Sequence, residues 1–280
     1  LSPGENDPEV TLKHPRHVRL DRGALVTAML LCLAPGIALS QAANAPKPAP
    51  APEATPAPPP PLEPAALERM KAMSDLLKGT RSFTFKVVTD REQPSVSGQM
   101  LDFVTVSNVH VSRPNQIRVK TQGDRLGASL WYDGKTVTIY SDKSSFYGQA
   151  PAPATIDETL QMLMEQFQTP LPVAGFLAQD PYARMMDGVK TAFDAGVAPV
   201  DGVACRHLAF SEEDADWQVW IEEGAKPLPR RIAVTYKKDP GAPRVLAALS
   251  DWNLAPTIPA GEFAFVPPAG ATKVDWKTGQ

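Results

Sequence analysis

Beyond the N-terminal 42 residues, the side chains that could do acid–base, nucleophilic or metal chemistry are few: His110, His207, Cys205 and the carboxylates of the run Ser211-Glu212-Glu213-Asp214-Ala215-Asp216. A metal centre needs ligands at a spacing that brings them to one point, such as H-x-x-x-H on a helix face or paired cysteines. His110 and His207 each fall in a strand-like segment, form neither H-x-x-x-H nor H-E-x-x-H, and read as structural or surface residues. Cys205 follows Ala204 with no histidine or second cysteine nearby, which predicts a buried, inert thiol. The acidic run lacks the spacing of a calcium-binding EF-hand loop, so a solvated turn between two strands is the better reading. No G-x-S-x-G, P-loop or G-x-G-x-x-G motif occurs. The expectation is therefore a protein without catalytic residues, metal or cofactor.

The N-terminal segment points to export. A basic stretch (Lys13, Arg16, Arg19, Arg22) precedes the uncharged run Ala24 to Ala34, which is broken by Pro35 and Gly36. That run has the length of a signal-peptide core and falls short of the roughly 20 residues of a transmembrane helix. Ser40-Gln41-Ala42 fits a small-x-small cleavage pattern, predicting a signal peptide over residues 1–42 and a periplasmic domain. Retention of Ala24 to Leu39 as an uncleaved membrane anchor is the alternative. Cleavage removes Cys32 and leaves Cys205 alone, so no internal disulfide can form and stability must come from a core. Residues 43–61 form a linker, with nine prolines between Ala45 and Pro61, a composition that excludes helix and sheet and favours an extended spacer. The net charge of −3 gives no support for a nucleic-acid partner.

Residues 62–280 read as one domain. Leu62, Ala66, Leu67, Met70, Met73, Leu76 and Leu77 have helical spacing and stop at Gly79. Strand-like segments follow at Ser82–Asp90, Gly98–Ser112, Gln116–Thr121, Ala128–Tyr132 and Thr136–Asp142, with Asp133-Gly134-Lys135 reading as a type I′ hairpin turn. A second amphipathic helix is predicted from Ile156 to Phe167, with Thr155 as N-cap and Glu158 three residues on. Thr169 to Gly175 reads as a loop, Pro181 to Gly188 as a short helix, and strands resume at Lys190–Ala195, Val203–Ser211, Asp216–Glu222, Arg230–Lys237 and Val245–Leu254. The fold class is α+β: a long antiparallel sheet with too many strands to stay flat, curled beneath the helices that cover its apolar face.

Arg113-Pro114-Asn115-Gln116-Ile117-Arg118-Val119, the Tyr132-Asp133-Gly134-Lys135 hairpin, Val219-Trp220-Ile221-Glu222 leading to Pro229-Arg230-Arg231, and Phe263 to Ala271 occur in the order seen in the LolA-like superfamily of periplasmic lipoprotein carriers. The chain resembles that superfamily from Leu62 to about Val274, and within it a branch of predicted periplasmic proteins of unknown function. The resemblance implies an unclosed β-barrel with helical lids around an apolar cavity, holding an acyl chain of a lipid or lipidated protein; a monomer is expected separately. It also implies a lid contact made by an arginine, a role that is carried over to no residue of this sequence.

The residues with inward parity on the strands are Phe83, Phe85, Val87, Leu101, Phe103, Ile117, Val119, Trp217, Val219 and Ile221; those on the helix faces are Met70, Met73, Leu160, Leu163, Met164 and Phe167. Together they are the candidate ligand cavity, and the pattern alone fits a filled core equally well. Relatives with this fold also act as envelope sensors, so a domain that binds an envelope protein and carries no lipid is the alternative function. The leader reading has a direct check. N-terminal sequencing of the protein recovered from the periplasm is expected to start at Ala43, whereas a mature chain still holding Ala24 to Leu39 would show an anchor.

Overall fold

The computed structural model describes residues 62–124, 127–167 and 171–276; the predicted leader and the Pro-rich linker lie outside them. Among the described residues, no helix is long and apolar enough to cross a membrane.

Helix α1 (Pro64–Gly79) opens with proline in its first turn, where a missing N–H costs nothing, and buries Ala66, Met70, Met73 and Leu77 at the spacing of one helix face. Its entry is pinned: Glu63 N–H donates to the Ala192 carbonyl at 2.9 Å, and the Glu63 carboxylate accepts from Asp194 N–H at 2.9 Å. Six strands follow: β1 (Ser82–Pro94), β2 (Met100–Ser112), β3 (Gln116–Gly123), β4 (Gly127–Tyr132), β5 (Thr136–Ser141) and β6 (Phe146–Pro151). Three helices come next, α2 (Ile156–Phe167), α3 (Ala174–Leu177) and α4 (Pro181–Met186). The second run of strands is β7 (Thr191–Val200), β8 (Val203–Ser211), β9 (Ala215–Glu222), β10 (Pro229–Tyr236) and β11 (Arg244–Asn253), and the short β12 (Thr272–Lys273) ends it.

All twelve strands form one sheet in the order β12-β6-β5-β4-β3-β2-β1-β11-β10-β9-β8-β7, antiparallel except for the β12–β6 pair. Its end strands β12 and β7 do not meet, so the sheet is unclosed, and the α+β class is as the sequence predicts. The two meanders join where β1 pairs with β11. That pairing contains a bulge: the register shifts between Thr84 and Lys86, opposite Asp251, whose φ is 55°. The extra residue turns Trp252 onto the same face as Phe85, where their rings stack at 4.5 Å, and its indole N–H reaches the Pro229 carbonyl at 3.0 Å.

Three local details differ from the sequence reading. The Asp133 hairpin is not type I′: that turn needs positive φ at both central residues, and here only Gly134 has it (95°). Asp133 Oδ1 accepts from the N–H groups of Lys135 (2.9 Å) and Thr136 (2.8 Å), and a Cβ on Gly134 would sit 2.5 Å from the Asn115 amide. Strand β6, which carries Gly148 and Pro151, shows no alternation strong enough to announce it; its ladder to β5 and the ring of Phe265, 4.9 Å from Tyr147, hold it. The predicted loop Thr169 to Gly175 contains the start of α3, a helix too short for periodicity to register.

The helices are tied to one another and to the sheet by polar contacts. Thr155 caps α2 as expected, accepting from Glu158 N–H at 3.3 Å and donating to its carboxylate at 2.8 Å. Asp157 accepts from Gln179 N–H, Arg184 donates to Gln161 at 3.0 Å, and Lys78 pairs with Asp180, which also caps α4. The Lys78 ammonium holds the Asp180 carboxyl below its usual pKa. Arg113, at the β2–β3 turn, donates to the carbonyls of Leu177 (2.8 Å), Ala178 (2.5 Å) and Phe176 (3.4 Å), the orphaned end of α3. Its guanidinium also lies over the Phe83 ring, 5.5 Å from the centroid. Burial pulls the Arg113 pKa down while Asp157 acts in the opposite sense. Replacing Arg113 with Met should leave these carbonyls unpaired and cost roughly 2 to 4 kcal/mol, at the upper range for hydrogen bonds to a charged group. Urea unfolding of the variant measures that loss, and faster amide exchange at Gln179 should accompany it.

Candidate functional site

Side chains on the helix-facing surface of the first meander fall into cross-strand rows, because each antiparallel register sets neighbours directly opposite one another. Phe83, Val111, Ile117, Tyr132 and Val137 form one row, and Phe85, Val109, Val119, Leu130 and Ile139 the next. Both are wholly apolar apart from the Tyr132 hydroxyl, which donates to the Pro153 carbonyl at 2.6 Å. The third row, Leu249, Val87, Ser107, Thr121 and Ala128, introduces hydroxyls, with Ser107 Oγ and Thr121 Oγ1 2.8 Å apart. Thr89 and Thr105 pair in the fourth, and Arg91 and Phe103 in the fifth. The lining therefore grades from hydrocarbon to hydroxyl to guanidinium along β1.

Over these rows lies a partly open cleft of about 440 Å³. Its floor is β1 to β5, and its roof is Leu160 of α2 with the segment Leu171 to Leu177. Several features hold the roof in place. Gly175 lets α3 come against α4, since a Cβ there would lie 2.5 Å from Met185 Cγ. The Arg113 and Asp157 bonds hold the end of α3 and the residues just after it.

Of the residues expected to line a cavity, Val87, Phe103, Ile117, Val119 and Leu160 border this cleft. Met70, Met73, Phe83, Phe85, Trp217, Val219 and Ile221 lie instead in the filled core, each at most 5% exposed. The difference is one of cover: α1 lies against β7 and β9 and packs its buried side chains into the core there, whereas the third and fourth rows of the first half border the cleft beneath Leu160 and the segment Leu171 to Leu177. Leu163 is buried on α2, Met164 and Leu101 are half-buried, and Phe167 is 44% exposed with its ring 5.7 Å from Trp276. The sequence reading did not single out Thr89, Arg91, Thr105, Leu130 or the roof residues Leu171 to Leu177. Strand parity with Val87 and Phe103 signals the strand residues, while nothing local signals the roof.

The groups with chemical potential stay apart from the cleft and from one another. His110 Nδ1 stands 2.9 Å from the Glu262 carboxylate, and His207 stacks on Trp220 at 4.1 Å and meets the Gln218 amide at 3.0 Å. Cys205 is fully buried and burial pushes its thiol pKa up, which suppresses the thiolate. In the acidic turn, Lys237 pairs with Asp216 at 2.8 Å and Lys238 with Asp214 and Glu213. Among the described residues no group of His, Cys, Asp and Glu could hold a metal ion. A second depression of about 580 Å³, beside Lys78, Arg81 and Asp180, is a polar surface hollow whose Lys78 and Asp180 charges already pair.

No curated protein matches the sequence. The chain is similar to an uncharacterized conserved protein from Thermus thermophilus (12% identity, 76% of this chain and 99% of that one, TM-score 0.45). It is also similar to the Mycobacterium tuberculosis lipoprotein LppX (14%, 70% and 100%, 0.41) and to a LolA superfamily protein from Nitrosomonas europaea (11%, 71% and 97%, 0.38). A family model described as predicted periplasmic protein (DUF2092) matches residues 66–276, spanning the sheet and its helices, and the chain therefore belongs to this family of periplasmic proteins.

Proposed function

We propose that the protein is a non-catalytic binder of an acyl chain, presented by a lipid or a lipidated protein, in the cleft between the first meander and the α2–α3 roof. The observation that carries this reading is the cleft itself: a 440 Å³ space whose inner rows are hydrocarbon, in a sheet whose other half is filled. Spaces of roughly 300 to 1,000 Å³ are typical of small-molecule sites. Water gains little against Val119, Leu130 and Leu160, whereas each methylene moved there from solvent contributes about 0.8 kcal/mol. The periplasm gives such a site a use, since acyl chains crossing it must be shielded from water. On this proposal residues 1–42 are the export signal and 43–61 a spacer ahead of the folded domain.

Organic extracts of the purified protein should contain copurified lipid by mass spectrometry. Phe103→Asp, which sets a carboxylate in the cleft, should lose it, and so should Val119→Phe, which fills the space without adding charge. A lipid-free wild type that also ignores a fluorescent fatty acid overturns the proposal. So does a stable protein partner whose capture is indifferent to both substitutions, together with unchanged lipid content.

A further inference from the structure

We infer that the cleft reads a hydroxyl carried on the acyl chain itself, setting it against the hydroxyl pair Ser107–Thr121 while the methyl end of the chain lies at Ile117. This rests on the acyl-binding reading and goes beyond it in naming a second polar group on the ligand, its position along the chain and the residues that meet it.

The first support is where the hydroxyls lie. Ile117 and Val109 are buried at the inner end of the cleft, Ser107 and Thr121 are half-buried farther along it, and Gln93 is exposed at its mouth. Valine fits a half-buried strand position as well as threonine does, so folding alone does not call for hydroxyls on this floor. Thr89 and Thr105, opposite each other one row nearer the mouth, continue the polar strip.

The second is bonding capacity. Ser107 Oγ and Thr121 Oγ1 lie 2.8 Å apart on directly opposed residues of β2 and β3 and share one hydrogen bond. That bond uses one of the pair's two hydrogens and leaves the other, with the remaining lone pairs, for a group that both donates and accepts. A hydroxyl is such a group. A methylene laid there strips water from the pair and returns no hydrogen bond.

The third is distance. Ile117 and Thr121 lie on one face of β3, roughly 13 Å apart at about 3.3 Å per residue. An extended chain of about ten carbons, with single bonds of about 1.5 Å, spans that length. The selected ligand therefore carries its hydroxyl about ten carbons from the methyl end, and its acid or ester end lies beyond, toward Gln93.

Displacement of bound cis-parinarate by myristate, 3-hydroxymyristate, stearate and 12-hydroxystearate tests the inference. The 3-hydroxy acid, with its hydroxyl roughly eleven carbons from the methyl end, should bind about fivefold more tightly than myristate, the gain of one net hydrogen bond. 12-Hydroxystearate sets its hydroxyl roughly six carbons from that end, against the apolar rows, and should bind about fivefold more weakly than stearate. Thr121→Val keeps the shape and removes one hydroxyl of the pair; Ser107→Ala removes the other. Each should reduce the preference for the 3-hydroxy acid to within about twofold. Both variants should hold myristate at least as tightly as the wild type, which also shows that they are folded. Equal affinities for myristate and its 3-hydroxy form, a gain for 12-hydroxystearate over stearate, a preference that survives both substitutions, or an equal loss of the two shorter acids in both variants overturns the inference and leaves the acyl-binding reading intact. Failure of all four acids to bind the wild type overturns that reading itself.

Discussion

The pairing of β1 with β11 is the contact on which the rest of the molecule depends. It joins the start of the domain to its far end, and without it the chain would be two separate meanders, each with an exposed apolar face. A long-range pairing costs loop-closure entropy before it returns any contact energy. The return here is concentrated at one place, where Phe83, Phe85 and Trp252 pack together and Ala247 and Leu249 continue the buried face of β11 beside Val87 and Thr89. The bulge at Asp251 matters for this reason. Strict alternation would turn Trp252 to the outer face and remove the largest ring from the junction.

Once the halves are joined, their different cover decides where the sheet is core and where it is site. Helix α1 spans the second half with Met70, Met73 and Leu77, each with no exposed surface, and close packing leaves no room beneath it. The first half is roofed by the shorter α2 and the segment around α3, held largely by side-chain and main-chain hydrogen bonds at their ends and by Leu160 and Leu177 from above. One sequence pattern of inward apolar residues thus has two outcomes, decided by which helix arrives over which strands.

That distinction explains what was legible in the sequence. Alternation at Phe83, Phe85 and Val87, and at Trp217, Val219 and Ile221, marks the buried face of two strands without naming what covers it. The Thr155–Glu158 cap and the helical spacing of α1 are local signals, and both elements form where those signals place them. The division between cleft and core is not local. It depends on the partners Val87 and Met70 acquire through a sheet whose central pairing spans the domain. Arg113 shows the same limit: as a turn residue it has no visible role until folding brings the carbonyls of Leu177 and Ala178 to it.

An unclosed sheet must also protect its edges, and here the solution couples the edge to the helices. Strand β7 ends the sheet, and such an edge offers unpaired N–H and C=O groups to other chains. At its start Glu63 takes both a carbonyl, that of Ala192, and an N–H, that of Asp194. Further on, a register shift between Asp194 and Val197, with Gly196 at φ 96°, breaks the line of the strand, and Pro199 removes another donor. The residue that blocks the edge is the one immediately before Pro64, so the contact that closes β7 to outside strands also fixes the start of α1 beside that strand. From that start α1 runs against β7 and β9 and packs its buried face into the filled half of the sheet.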